Sequence, residues 1–271
     1  MTAASPDIAV LMPVYNPAAE LQVTLDSIRR QTVPSKLFIV DDGSKTKPDY
    51  HALLKGMNYH LIELPQNQGI VGALNAGLAE LLKGDFKYVA RVDNGDINIE
   101  DRFEAQRLYL DDHPDLCMIS SHVRYEYEVT GLKIDVLNPE SPERCARDLR
   151  YNAPLTHAAL MIRMDFLRAF KSYSNNYPAA EDYAMEFWAH ANGYRMGNIP
   201  RMLYRTIEMS ESISGNSRKK QLNSRLRLQR EYADWGNIHT WLGITRTLLL
   251  TVAPIGVLRR IKAAVRSAMG K

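Results

Sequence analysis

Three short apolar runs in the N-terminal part of the chain each stop at a polar cluster, and this recurrence restricts the fold more than any other feature. Ile8–Met12 leads through Pro13 and Val14 into Tyr15–Asn16. Leu37–Val40 leads into Asp41–Asp42–Gly43–Ser44, and Tyr88–Val92 into Asp93–Asn94–Gly95–Asp96. Short unbroken apolar runs bounded by turn residues read as strands buried on both faces. Between them lie helix-period stretches, one carrying Leu21, Leu25 and Ile28 on one face and another spanning Ile70 to Lys83. His60–Leu64 reads as a further strand. Strand and helix in alternation predict an α/β fold whose mostly parallel sheet is covered by helices on both faces. Ligands of such sheets bind beyond the carboxyl ends of the strands, where the three polar clusters fall.

Beyond Glu100 the pattern loosens. The sequence predicts a helix over Glu100–Asp112, a long strand over Leu116–Val129, a helix over Pro142–Arg150 and a strand over Thr156–Ile162. Glu181–Asp182 opens a helix with Met185, Trp188 and Ala189 on its apolar face. Tyr125 and Tyr127 alternate with charged residues, the pattern of an edge strand. The remainder, from about Glu208, reads as helical and basic. The expected division is therefore a catalytic domain over 1–207 and a helical extension over 208–271.

Composition removes several function classes. The whole chain carries +3 from 34 basic and 31 acidic residues, too mild a charge to expect a nucleic-acid partner. The charge is unevenly placed: no acid follows Asp234, while Arg246, Arg259, Arg260, Lys262, Arg266 and Lys271 do. That asymmetry marks the C-terminus as a contact for an anionic surface. The apolar run Thr247–Leu258 contains Pro254 and is shorter than the ~20 residues a membrane span needs. With only Cys117 and Cys145, no disulfide framework is expected, and a reducing, cytoplasmic setting fits. Residues 1–7 carry neither a basic n-region nor an apolar h-region, so no signal peptide is expected.

The chemistry follows from the clusters. Carboxylates at strand ends offer hard oxygen ligands for Mg²⁺ or Mn²⁺, ions that bridge substrate phosphates. The same residues are also what any strand-to-helix turn selects, so one cluster alone does not decide. Neither a G-x-G-x-x-G after the first strand nor a G-x-x-x-x-G-K-[ST] is present, which disfavours dinucleotide and P-loop folds.

Taken together, the motifs carry a family resemblance. Pro13–Val14–Tyr15–Asn16, Val40–Asp41–Asp42–Gly43–Ser44, Asn67–Gln68–Gly69 with Ala73–Gly77, Ala90–Arg91–Val92–Asp93, Ala180–Glu181–Asp182–Tyr183 and Tyr204–Arg205 occur in that order. Their set resembles a family 2 glycosyltransferase of the GT-A fold, over about residues 7–214. The resemblance implies inverting transfer of a sugar from a nucleoside-diphosphate donor, a UDP- or dTDP-sugar, in synthesis of cell-surface polysaccharide of the O-antigen type. It implies that Pro13, Tyr15, Asn16, Asp41 and Asp42 hold base and ribose, with Asn67, Gly69 and Asn75 near the nucleotide and Arg91 and Asp93 at its diphosphate. Asp93 and Asp96 occupy the metal-binding DXD region. Asp182 falls at the position of the catalytic base, with His157 and Glu181 toward the acceptor.

Two departures bear on the metal. Gly95 stands where the family usually has the ligating acid, and Ile207 where it often has a histidine. A divalent cation is thus the expected cofactor on a reduced ligand set, with Arg91 or a basic residue of the C-terminus as an alternative source of positive charge. Asp182 also has a rationale of its own, since inverting transfer needs one carboxylate to take the acceptor's proton while the leaving diphosphate needs only charge offset. Otherwise Glu181 and Asp182 are acids favoured by a helix N-terminus. Two other readings stay open: a sugar nucleotidyltransferase, and a weakened relative acting as a binding or scaffold subunit. The implied acceptor is a lipid-linked or oligosaccharide hydroxyl. The implied location is the cytoplasm, with peripheral contact at the inner face of the cell membrane.

Overall fold

The computed structural model describes residues 6–128, 130–208 and 215–253. Its centre is a sheet of nine strands. Strands β1 (Ile8–Val14), β2 (Ser35–Asp41), β3 (Tyr59–Glu63) and β4 (Tyr88–Arg91) form a purely parallel half in the order β3-β2-β1-β4. Every residue of β1 is buried, which explains its unbroken apolar sequence. Ala9 and Leu11 face a core that includes Leu74, Leu78 and Leu81 of α3 (Gly69–Leu81). Val10, Met12 and Val14 face the opposite core with Leu21, Leu25 and Ile28 of α1 (Glu20–Arg29). A short helix, α2 (Tyr50–Leu53), sits between β2 and β3.

Beyond β4 the sheet turns mixed. Strand β5 (Ile97–Asn98) and helix α4 (Arg102–Asp112) precede β6 (Leu116–Tyr127), which is followed by β7 (Leu132–Val136) and α5 (Pro142–Asp148). Then come β8 (Met161–Arg163), α6 (Met164–Phe170), α7 (Glu181–Ala191) and β9 (Arg195–Glu208). β8 runs antiparallel to both β4 and β6 and so joins the two halves. The stretch expected as one strand over Thr156–Ile162 is a 3-10 turn at His157–Ala159 before β8. The turn carries His157, whose ring meets the Tyr173 hydroxyl. Nor do Tyr125 and Tyr127 lie on an edge: that end of β6 pairs with β7 on one side and β9 on the other. Among the described residues both cysteines are buried and free.

Helices α8 (Gly215–Glu231) and α9 (Ile238–Val252) follow β9. Leu228 of α8 shares a core with Leu149, Tyr177, Tyr183 and Phe187. Ser224 Oγ donates to the Pro178 carbonyl at 2.9 Å and Gln229 Nε2 to that of Arg150 at 2.8 Å. The first helix of the C-terminal segment is thus anchored directly on α7, the loop before it and the turn after α5.

Candidate active site

At the end of β2 the acids are turned inward. Asp41 is fully buried; its Oδ1 accepts the Ser44 N–H at 2.7 Å and its Oδ2 the Tyr50 hydroxyl. Burial and this bond push the Tyr50 phenol well above its ordinary value. Asp42 accepts the Gln68 N–H at 2.7 Å on Oδ1 and the Asn67 amide at 2.9 Å on Oδ2. Gly43, next in the chain, has φ +67°, and a Cβ there would lie 2.3 Å from the Gln66 carbonyl carbon. Only glycine lets the two loops close on each other. Asn16 completes the group: its N–H donates to Ser44 Oγ at 2.8 Å and its side-chain oxygen accepts the Lys45 N–H at 2.8 Å. Pro13 is buried in β1 beneath this group, Tyr15 beside it is 45% exposed, and Asn67 and Gly69 lie at the exposed start of α3.

The second group gathers around the end of β4. Arg91 is buried, and its Nη2 contacts Asp93 Oδ1 at 2.6 Å. The Asp93 side chain itself stays 44% exposed. Its backbone N–H donates to the Tyr204 hydroxyl at 3.1 Å, fixing the turn against β9. Asp96 points the other way. It is buried, hydrogen-bonded to the Tyr204 and Thr206 hydroxyls, and its carboxyl is pushed up to about 7 by burial and by the Asp93 charge. Gly95 has φ +94°, a backbone conformation that an acid with a Cβ would adopt only with strain. Arg102, buried below, donates to the Arg91 and Leu160 carbonyls at 2.9 and 3.0 Å and packs 4.8 Å over the Tyr204 ring.

Helix α7 brings the third set. Asp182 stands in its first turn, with Oδ1 accepting the Tyr183 N–H at 2.7 Å. Burial raises its carboxyl above the usual range; the Tyr183 N–H and the Arg225 guanidinium on α8 pull it back, and the Asp93 charge adds to the rise. Burial, then the Asp182 charge, push Glu181 up to about 7. One turn on, Glu186 is fully buried with neither carboxyl oxygen hydrogen-bonded, and burial holds it well above the carboxylate range. His157 reaches the same space: its Nε2 lies 3.1 Å from the Tyr173 hydroxyl. Burial and the nearby Arg91 charge bring it down to about 3, so it is neutral. Tyr173 feels the charges of Arg91, Glu181, Asp182 and Asp93.

The sequence-derived residues therefore divide in two. Arg91, Asp93, His157, Glu181 and Asp182 form one electrostatic cluster; Asn16, Asp41, Asp42 and Asn67 form the neighbouring loop assembly. Asn75 links them indirectly, since its amide clasps the backbone of Tyr173, donating at 3.0 Å and accepting at 2.8 Å. Tyr173, Arg225 and Glu186 lie in no motif; the i, i+4 spacing of Asp182 and Glu186 is a sequence signal that can place those two on a shared face.

As a metal site this arrangement is sparse. Among the described residues no group of three or more His, Cys, Asp or Glu is placed to hold a metal ion. Asp93 keeps an exposed oxygen, whereas Asp96 is sealed inside. That set fits an ion shared with a substrate diphosphate through one carboxylate, as Mg²⁺ often binds, and not a cage built by the protein alone.

The glycosyl transferase family 2 model matches residues 9–171. The amylovoran biosynthesis glycosyltransferase AmsE of Erwinia amylovora is 25% identical over 82% of this chain and 84% of its own. A UDP-Gal:alpha-D-GlcNAc-diphosphoundecaprenol beta-1,3-galactosyltransferase of Escherichia coli is 28% identical over 73% of each chain. Among solved structures, S. aureus TarS residues 1–349 superposes with a TM-score of 0.66 at 17% identity, covering 89% of this chain and 70% of that one. The Pyrobaculum calidifontis mannosyltransferase PcManGT, in complex with GDP-Man and Mn²⁺, superposes with a TM-score of 0.62 at 14% identity, over 98% and 81%.

Proposed function

The chain belongs to glycosyl transferase family 2, and we propose that it is an inverting enzyme that moves a sugar from a UDP- or dTDP-sugar to a hydroxyl of a lipid-linked or oligosaccharide acceptor. The observation that carries this reading is the meeting of Asp182 with the Arg91–Asp93 pair at one end of the sheet. The name of the E. coli relative, with its UDP-Gal donor, diphosphoundecaprenol-linked acceptor and beta linkage, supports the same chemistry.

In this reading the donor's base lies against Tyr15 and the Asn16–Ser44 loop. Each oxygen of Asp42 accepts one bond in the folded chain and keeps a second lone pair for a base imide or ribose hydroxyl. Asp41, with both oxygens engaged, holds the turn that presents Asp42. The diphosphate lies near Asp93 and the buried Arg91. A divalent ion held by Asp93 would supply charge offset for the leaving diphosphate. Asp182, ionised, takes the proton of the acceptor hydroxyl as that oxygen bonds to the anomeric carbon; the bond from that carbon to the diphosphate oxygen breaks, and its electron pair leaves with the diphosphate. The Tyr183 N–H orients Asp182, and His157, neutral, lines the acceptor side with Glu181. The setting is the synthesis of cell-surface polysaccharide at the inner face of the membrane. The basic C-terminus provides the contact; its residues Leu258, Arg259, Arg260, Ile261, Lys262, Val265, Arg266 and Ala268 lie outside the described part of the structure.

The test is a panel of UDP- and dTDP-sugars with a polyprenyl-diphosphate-linked sugar as acceptor, with and without Mn²⁺. Transfer from one donor to the lipid-linked acceptor is the expected result. Binding without any transfer or donor hydrolysis would favour a scaffold subunit. Formation of a nucleotide sugar and pyrophosphate from a sugar 1-phosphate and a nucleoside triphosphate would favour a nucleotidyltransferase.

A further inference from the structure

Helix α9 is inside out. The residues it buries are Thr240, Gly243, Ile244 and Thr247, three of them small or polar. The residues it exposes include Ile238 (64%), Trp241 (51%), Leu242 (49%), Leu249 (62%) and Val252 (77%). At 100° per residue these five fall within one stripe. The orientation is fixed by close packing on the body of the protein: a Cβ on Gly243 would lie 1.9 Å from the Arg150 carbonyl oxygen, so any side chain there would force the helix away. Arg246 Nη1 donates to the Tyr151 carbonyl at 2.9 Å and holds the same face down. An apolar stripe held outward by such packing, with Thr245 its one polar interruption, marks a surface for an apolar partner.

We infer that this stripe of α9 lies in the interface of an anionic membrane, beside the lipid-linked acceptor of the reading above, on which this inference rests. Charge decides the occupant. From Gly215 onward the chain has twelve basic and two acidic residues, against +3 for the whole. Lys219 and Lys220 are exposed at the start of α8, and Arg218 beside them donates to the Leu250 carbonyl at 2.6 Å. Basic groups therefore border the C-terminal end of the apolar stripe, an arrangement complementary to acidic headgroups. At the other end Trp235 (54% exposed) and Trp241 pair at 5.0 Å, and amphipathic rings of this type settle at headgroup level. No helix among the described residues is long and apolar enough to cross a membrane. The fifteen residues of α9 therefore suit lying in the interface.

The experiment uses the full chain and vesicles of phosphatidylcholine, with or without phosphatidylglycerol, carrying brominated acyl chains. The variant is Leu242→Gln/Leu249→Gln/Val252→Gln, and the control Leu137→Gln, a leucine 71% exposed elsewhere. Wild type and control are expected to sediment with the anionic vesicles and to lose tryptophan emission to bromine. The triple variant should partition at least about tenfold more weakly, with an unchanged melting temperature and unchanged transfer to a water-soluble acceptor. Equal partitioning of triple variant and wild type would overturn the inference, as would vesicle binding without bromine quenching, which assigns binding to the residues after Ala253. A wild type that is dimeric in solution, with a monomeric triple variant, would overturn it in favour of a second copy of the chain. If no protein transfers sugar yet the partition difference holds, the transferase reading fails and the surface stands.

Discussion

The acids that end β2 and the acids that gather around β4 and α7 are the same residue types at neighbouring sheet ends, yet they are held in opposite ways. Asp41 and Asp42 accept bonds on all four oxygens from Ser44, Tyr50, Asn67 and Gln68. Asp96, Glu181, Asp182 and Glu186 are raised, each chiefly by burial. One oxygen of Glu181 and both of Glu186 are buried without a hydrogen bond. A carboxylate whose two oxygens each accept a bond from the chain's own N–H or O–H groups stabilises a loop. One left under-satisfied keeps its capacity for a substrate proton, at a cost in stability. The first group reads as scaffold for the nucleotide loops, the second as chemistry.

The largest effect that would sharpen this contrast is on rate. Asp182→Asn is expected to lower transfer by about 10²–10⁴-fold while nucleotide affinity and melting temperature stay near wild type. Since the Asp182 carboxyl is raised and must be ionised to act, wild-type kcat should fall with acidification through a midpoint above the ordinary carboxylate range. Near-normal transfer by the amide would place the base elsewhere.

Asp42→Ala should do the reverse on the other side of the comparison. It strands the Gln68 N–H and frees Asn67, so a loss of about 1–3 kcal/mol in denaturant unfolding is expected, together with a raised KM for the donor. A stable variant defective only in kcat would break the division between scaffold and chemistry.

Glu186 gives a pH test with a definite sign. Its folded pKa lies above its unfolded one, so raising the pH ionises the unfolded chain first and erodes stability. Glu186→Gln removes that erosion. The two proteins should unfold alike near about pH 4, with the variant gaining about 1–3 kcal/mol by about pH 8. A variant less stable at the higher pH would mean that Glu186 is ionised and paired in the folded protein.

The smallest effect concerns Gly95. Restoring an acid by Gly95→Asp meets no closer atom than Glu20 Cγ at 3.6 Å, but it must accept φ +94°. The expected result is a loss of about 1–3 kcal/mol in stability with at most a modest tightening of Mn²⁺ in a transfer titration. A large gain in Mn²⁺ affinity at no cost would show that the turn relaxes.

How much of this was legible in the sequence varies along the chain. The parallel half was, because β1, β2 and β4 are buried on both faces and their apolar runs end where the sheet ends. The meeting of Asp93 and Asp182 was implied by the family resemblance that the motifs carry. β9 was not legible: Arg195, Asn198 and Arg201 interrupt its apolar pattern, and its register against β6 shifts at three places. Asn198 is in fact buried, its amide donating to the Pro139 and Pro154 carbonyls at 2.7 and 3.2 Å. The burial of Glu186 is not legible because nothing local distinguishes the helix face that meets the Leu155 backbone and Cys145. Arg225 could not be linked to Asp182 because tertiary packing alone brings α8 to α7. The outward direction of the α9 stripe is not written in the local sequence; the Gly243–Arg150 contact sets it.

In the proposed reaction Asp182 serves a single direct displacement at the anomeric carbon, and product stereochemistry tests this most directly. Transfer from an α-linked nucleotide sugar, followed by proton NMR of the isolated product, reads the new anomeric configuration through its H1–H2 coupling. A single displacement predicts a β-linked product throughout the time course. An α-linked product would contradict it.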